Sequence, residues 1–102
     1  RVKIVEPGAI ATDFAGRSFD FANDESLADY QPTVAKVMSG FEAMLGAASP
    51  VDVVSDVIWT SVTDGTSTLR YTAGDDAKVF IENRRVQSDD EFLGAMKAQL
   101  GL

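Results

Sequence analysis

The stretch VKIVEPGAIATDF, residues 2–14, decides the fold of this protein. Its first five residues alternate apolar and polar side chains and Pro7-Gly8 ends the pattern, which predicts a β-strand over 2–6 followed by a turn. Pro7 lacks an amide hydrogen and has a fixed φ, whereas Gly8 permits a tight turn and a close approach between backbone and ligand. The stretch therefore predicts a strand that leads directly into a candidate binding loop.

The sequence that follows predicts four helices and one more strand. Residues 9–31 have no regular period, and a connection of this length in a compact domain is typical of a lid or binding loop. Helices are predicted over 32–45, 50–63, 75–83 and 88–100, and a strand is predicted over 68–73. The order strand, loop, helix, helix, strand indicates an α/β fold whose two strands pair in parallel through a right-handed crossover.

Two of the predicted helices begin with capping signals. Ser49 is predicted to cap the helix over 50–63, with Pro50 at its first position and Asp52 in a variant capping box. Ser88 and Glu91 predict a capping box for the last helix. The apolar residues of the helix over 50–63 are predicted to form one stripe: Val51, Val54, Val57, Ile58 and Val62.

Composition places the chain among globular proteins and excludes several classes of function. Of its 102 residues, 45% are hydrophobic and 25% are charged, which argues against disorder. The net charge of −7 disfavours binding to phosphate backbones and to anionic lipid surfaces. The chain has no Cys and no His, so disulfides, the usual zinc sites and His-based triads are excluded. No apolar stretch is long enough for a membrane span, and we expect a cytoplasmic protein.

Residues 2–14 resemble the Pro-Gly segment that follows the sixth strand in short-chain dehydrogenases/reductases. The downstream layout is also similar to that family: a variable substrate loop, a helix that begins Ser-Pro, a last strand and a C-terminal tail. LRYTAGDDA, residues 69–77, resembles the family's last strand and the Gly-x-Asp-Ala turn after it. The resemblance covers essentially the whole chain. It implies that residues 1–102 are the C-terminal part of a single oxidoreductase domain with a Rossmann-like, doubly wound sheet.

The resemblance also implies which residues meet a cofactor. An open α/β sheet binds its ligand beyond the carboxyl ends of its strands, and in this family the segment after Pro-Gly lies along the nicotinamide of NAD or NADP. By motif match, Pro7, Gly8, Ile10 and Thr12 are the candidate cofactor contacts. The backbone near Ile10 and the Thr12 hydroxyl would face the carboxamide. Without the resemblance, the same residues are interpreted as a turn, a core side chain and a helix cap.

The catalytic residues of the family have no counterpart in this sequence. The family's chemistry depends on a Ser and a Tyr-x-x-x-Lys pair, but Tyr30 is followed four positions later by Val34, and Tyr71 by Asp75. No two glycines lie closer than six residues apart, so there is no Gly-x-Gly phosphate loop. We therefore expect no catalytic residue, no metal, no tightly bound cofactor and no activity of this chain by itself.

By family position, the substrate loop and lid span residues 13–46. Large apolar side chains, of the kind that line ligand pockets, recur there. The candidate substrate contacts are Phe14, Phe19, Phe21, Met38 and Phe41. We expect a small apolar alcohol or ketone as substrate, lipid-like or steroid-like. The alternative is that these side chains only close the core.

Two strands flanked by helices make an incomplete sheet, which leaves an open strand edge and apolar helix faces. We therefore expect the chain to associate with itself as a homo-oligomer or with the missing N-terminal half of the domain. Family enzymes often assemble through the last strand and the Ser-Pro helix. Neither nucleic acid nor a membrane is expected as a partner. Two other hypotheses stay open: a naturally short, self-associating interaction module without catalysis, and an unrelated small α/β domain.

Overall fold

The structure is a computed structural model that describes residues 1–102. It contains two strands and four α-helices, with two short helical turns between the first strand and the first α-helix. In chain order the elements are β1 (Ile4–Pro7), a π-helical turn (Phe14–Ser18), a 3-10 turn (Ala28–Tyr30), α1 (Gln31–Gly46), α2 (Val51–Thr63), β2 (Arg70–Ala73), α3 (Asp75–Val86) and α4 (Asp89–Gln99). The predicted order is confirmed, although both strands are shorter than predicted and α3 runs beyond residue 83.

β1 and β2 form a two-stranded parallel sheet, as the element order predicted. The register sets Ile4 beside Arg70 and Pro7 beside Ala73, so both strands end at the same edge of the sheet. The Ile4 amide extends the ladder backwards by donating to the Leu69 carbonyl at 2.8 Å. α2 contacts both strands, and α3 contacts β2. The chain is therefore an α/β structure, consistent with part of a Rossmann-like sheet.

The start of α2 differs from the prediction. Pro50, not Ser49, is the N-cap residue, and no side chain caps the helix there. Pro50 has an extended ψ of 157°, so the helix begins one residue later than predicted and the Ser49 side chain lies too far back to cap it. Ser49 instead pairs its backbone with the loop after β1. Its amide donates to the Ala9 carbonyl at 2.9 Å, and its carbonyl accepts from the Ala11 amide at 2.8 Å.

α2 carries apolar side chains on two faces, where the sequence predicted one. Val54 and Val57 are half-buried on the same face as the buried Ser61, whereas the other predicted members of the stripe are exposed. We call the second face the outer stripe of α2; it consists of Val51, Ser55, Ile58, Trp59 and Val62. A helix that is apolar nearly all round is normally covered on both sides. None of the four helices combines the length and the apolar character needed to cross a bilayer.

At the amino-terminal end of the sheet, a polar cluster ties the α2–β2 loop to the start of β1. The Lys3 ammonium donates to the Thr66 and Thr68 carbonyls and to the Tyr71 hydroxyl, each at 2.9 Å. The Tyr71 hydroxyl in turn donates to the Asp64 carboxylate at 2.6 Å, and this hydrogen bond is the main cause that lowers the pKa of Asp64 to about 2. The cluster holds together two segments that are far apart in sequence.

α3 and α4 form a helical hairpin at the end of the chain. Phe80 and Phe92 pack edge to face, with ring centroids 5.2 Å apart. The predicted capping box of Ser88 and Glu91 is confirmed at the start of α4. Beyond α4, Leu100 reaches α1 near Gly40, where a methyl group on the glycine would lie 3.0 Å from the Leu100 Cδ2 atom. The close approach of the chain end to α1 therefore depends on the absence of a side chain in α1.

Very little of the chain is buried. Its buried residues are Ser61, Ala73, Gly74 and Ala77. The accessible surface is 7664 Å², whereas a compact monomer of this mass exposes about 5,600 Å². The radius of gyration is 16.7 Å, compared with about 13 Å for a compact domain of this length. The surplus of about 2,000 Å² is larger than one side of a standard protein interface, about 800 Å².

Candidate functional site

The carboxyl edge of the sheet positions the predicted cofactor contacts. Pro7 is the last residue of β1 and lies beside Ala73, the last residue of β2. The Gly8 amide then donates to the Ala73 carbonyl at 2.9 Å. The loop after Gly8 consequently begins at the edge of a parallel sheet where open α/β folds bind their ligands.

Asp76, in the first turn of α3, anchors this loop. Its carboxylate accepts a hydrogen bond of 2.6 Å from the Ala9 amide. A Cβ atom on Gly8 would overlap the same carboxylate, so a larger residue at that position would displace it. Gly74 has a φ of +103°, which side chains rarely adopt, and it turns the chain from β2 into α3. The Pro-Gly segment and the Gly-Asp-Asp-Ala segment are thus in direct contact.

The bridge to Ser49 leaves the peptide groups of Ile10 unpaired. Along an extended chain, the N–H and C=O groups of successive residues alternate between two sides. The Ala9 carbonyl and the Ala11 amide both face Ser49, so the Ile10 amide and carbonyl face the other side. Neither Ile10 group makes a hydrogen bond within the chain. One donor and one acceptor are therefore free at the position predicted to meet a carboxamide.

Thr12 lies on the same loop, next to a polar cleft. Its hydroxyl oxygen accepts a hydrogen bond from the Phe14 amide at 3.3 Å, which leaves the hydroxyl hydrogen free to donate. The cleft has a volume of about 470 Å³, and Thr12, Asp13, Phe14, Arg17 and Ser18 line it. Asp13 and Arg17 form an ion pair within this lining, so the two charges offset each other.

The predicted substrate residues gather around Phe19. The Phe19 ring stacks on Phe41 and Phe21, with centroids 5.7 and 5.9 Å away, and meets Phe14 edge-on at 6.2 Å. Phe19, Phe41 and Met38 line a second cleft of about 480 Å³ between the π-helical turn and α1. Phe14 and Phe21 reach the cluster through Phe19 and do not line this cleft. The other lining residues are Ala15, Ala35, Ser39, Glu42 and Leu45.

Sequence reasoning missed two residues that build the site. The signal for Asp76 was present in the Gly-x-Asp-Ala spacing, but that spacing does not show that the carboxylate reaches back to the loop after β1. Ser49 contributes only backbone atoms to the bridge, so its residue type carried no signal. Pro7 ends β1, and Gly8, Ile10 and Thr12 follow it on one loop; the contact of these four residues with a cofactor stays a prediction.

Comparison with known proteins relates the chain to oxidoreductases. Two proteins of Schizosaccharomyces pombe (strain 972 / ATCC 24843), both described as uncharacterized oxidoreductases, are 31% identical to the chain over 107 aligned residues. The match covers 100% of the chain but 42% of each relative, so the chain spans less than half of their length. No family model and no solved structure matches the chain. The class of protein to which the chain is related is therefore the oxidoreductases.

Proposed function

We propose that this chain is the C-terminal part of an NAD(P)-dependent short-chain dehydrogenase/reductase that interconverts an alcohol and a ketone. The observation that carries the proposal is the loop after Gly8. It leaves the carboxyl edge of a parallel sheet with the Ile10 peptide groups unpaired and the Thr12 hydroxyl hydrogen free. The similarity to two oxidoreductases supports the same class of chemistry.

In this proposal the chain binds the nicotinamide end of NAD or NADP. A carboxamide offers two N–H donors and a carbonyl acceptor, which complement the free carbonyl and amide of Ile10. Thr12 adds one more donor. The bound cofactor supplies the hydride transfer, and Pro7 and Gly8 allow the backbone to lie close to it. We assign pyrophosphate binding and proton transfer to a part of the proposed enzyme outside residues 1–102.

Residues 13–46 then serve as the substrate lid. The cleft beside Phe19 has a volume of about 480 Å³, within the range of small-ligand sites, and a mostly apolar lining. Phe19, Met38 and Phe41 contact the substrate, and Phe14 and Phe21 hold the Phe19 ring in place. An apolar alcohol or ketone suits this lining.

Two partners account for the exposed apolar surface. β1 pairs with β2 on one side only, and we assign its open edge to the N-terminal half of the domain, which would extend the sheet. We assign the outer stripe of α2 to a second copy of the chain. Ser55 is the one small residue of that stripe, so an antiparallel helix pair centred between Ser55 and Trp59 would place each Trp59 against Ser55 of the other copy.

Cofactor binding by the full-length gene product tests the proposal. Thr12→Val removes the hydroxyl at nearly constant shape, so the Kd for the cofactor should rise about fivefold, the effect of one lost hydrogen bond. Thr12→Ser should restore the affinity. Thr33→Val, at an exposed position of α1, is the matched control and should change nothing.

Two results would count against the proposal in different ways. If Thr12→Val binds the cofactor as tightly as the wild type, the placement of the nicotinamide on this loop is wrong. If the wild type binds neither NADH nor NADPH, the oxidoreductase proposal fails. The outer stripe of α2 then favours the alternative function, a self-associating interaction module without catalysis.

A further inference from the structure

The wall of the cleft beside Phe19 is mostly apolar. One face of α1 forms most of it, and Ala15 of the π-helical turn and Phe19, which follows that turn, form the rest. Six of its eight lining residues are hydrophobic. Phe19 and Phe41 stack there with an angle of 19° between their ring planes. Phe19 also stacks on Phe21, so its ring faces are turned towards other rings and the wall offers a substrate mainly apolar contact area.

Glu42 is the only charged side chain in the wall. It forms no ion pair within the chain, and no Lys or Arg lines the cleft to offset it. Arg17, on the adjoining π-helical turn, is paired with Asp13. Lys36, the other charged residue of α1, does not reach the cleft. The cleft therefore combines apolar contact area with one uncompensated negative charge.

We infer that Glu42 is a specificity-determining residue that restricts the cleft to substrates without a carboxylate or phosphate group. Its carboxylate, which is exposed beside the cleft, repels a substrate anion that binds next to it. A neutral ketone or alcohol does not experience this repulsion. The inference rests on the proposed function, because it assigns the charge class of the substrate for that reaction.

Two ketones that differ by one charge test the inference. Acetylnaphthalene is neutral, and acetylnaphthoic acid carries a carboxylate on the same skeleton. In the full-length gene product with its nicotinamide cofactor, kcat/KM should favour the neutral ketone. Glu42→Gln should raise the ratio of kcat/KM for the acid to kcat/KM for the neutral ketone about tenfold. Glu42→Lys should raise the value for the acid further.

Glu82→Gln removes the same charge from α3, outside the cleft, and should leave the ratio between the two ketones unchanged. An unchanged ratio in Glu42→Gln would overturn the inference. Equilibrium dialysis of the same ketones without cofactor separates this result from a failure of the proposed function. If the wild type turns over neither ketone but binds the neutral one preferentially, and Glu42→Gln abolishes that preference, the oxidoreductase proposal is contradicted. The charge selection by Glu42 is then still supported. Equal binding of both ketones, or binding of neither, overturns the inference.

Discussion

The Ala9 amide donates a 2.6 Å hydrogen bond to the Asp76 carboxylate across 67 residues of sequence. This bond joins the loop that follows β1 to the helix that follows β2, and it lies directly beyond the last paired residues of the sheet. Bonds between a backbone amide and an ionised carboxylate are stronger than those between neutral groups. The shape of the candidate cofactor loop therefore depends on a side chain from the far end of the chain.

Asp76→Asn should disturb the cofactor loop, whereas Asp75→Asn should not. Both changes remove one negative charge from the first turn of α3, where it interacts favourably with the helix dipole, and Asp75→Asn also removes an exposed ion pair with Lys78 that contributes little. Only Asp76 also accepts from the Ala9 amide; asparagine keeps an acceptor oxygen but loses the charge that strengthens this bond, so the variant should lose up to about 1 kcal/mol more free energy of unfolding. The measurement is denaturant unfolding of the full-length gene product, together with its Kd for NADH or NADPH. Equal losses in the two variants would contradict the anchoring role.

Gly40→Ala and Gly94→Ala should have different effects, although both glycines lie inside α-helices. Alanine in a helix interior is more favourable than glycine by about 1 kcal/mol. A methyl group at Gly94 meets no atom within 4 Å, so the free energy of unfolding should rise by about 1 kcal/mol in Gly94→Ala. A methyl group at Gly40 lies 3.0 Å from Leu100 Cδ2, so the free energy of unfolding should rise less in Gly40→Ala than in Gly94→Ala.

Leu100→Ala in the Gly40→Ala background should recover part of the difference, because it removes the atom that the new methyl group meets. Chemical denaturation of the four proteins gives the comparison. Identical gains for the two glycine variants would show that the chain end does not press against α1.

Tyr71→Phe should weaken the structure more at neutral pH than in strong acid. The Tyr71 hydroxyl is the main cause that lowers the pKa of Asp64 from 3.8 to about 2. Since the pKa of Asp64 is lower in the folded chain, its contribution to stability is full above pH 3.8 and is lost as the pH falls through about 2. The difference in unfolding free energy between wild type and Tyr71→Phe should therefore shrink over that interval.

Unfolding midpoints measured from neutral to strongly acidic pH, with an NMR titration of the Asp64 carboxyl carbon, check this prediction. In Tyr71→Phe the pKa of Asp64 should return towards 3.8. Tyr30→Phe is the control, because the Tyr30 hydroxyl has no hydrogen-bond partner and the side chain is exposed. A pH-independent difference between wild type and Tyr71→Phe would rule out the coupling to Asp64.

Trp59→Glu should reduce self-association. Trp59 is 71% exposed at the centre of an apolar stripe, and a charge there would be buried in an interface without a partner. Light scattering of the full-length gene product should show a lower mass for this variant. Val79→Glu, at an exposed apolar position of α3 outside the stripe, should keep the wild-type mass. If both variants behave alike, the outer stripe of α2 is not the interface.

Some of the expected site could be predicted from sequence because its signals are local. Pro7 and Gly8 end a strand through their own backbone properties, whatever surrounds them. The recurrence of large apolar residues over 13–46 likewise marked the candidate substrate contacts, but their grouping around Phe19 is visible only in the folded chain. The unpaired peptide groups of Ile10 could not be predicted in this way. Which backbone groups of the loop are paired depends on the segment beside it, here Ser49, which pairs with the residues on either side of Ile10.

By itself, the sequence determined the order of strands and helices, the parallel pairing of β1 with β2 and the capping box of Ser88 and Glu91. These features follow from interactions between near neighbours and from the short list of connections that join two strands. Only the tertiary structure decided that Asp76 holds Ala9, that Ser49 pairs with the loop instead of capping α2, and that α2 exposes a second apolar face. Each of these features depends on contacts, or on missing contacts, between segments that are distant in sequence. The periodicity of a helix shows which of its residues share a face, but it does not specify which face another segment will cover.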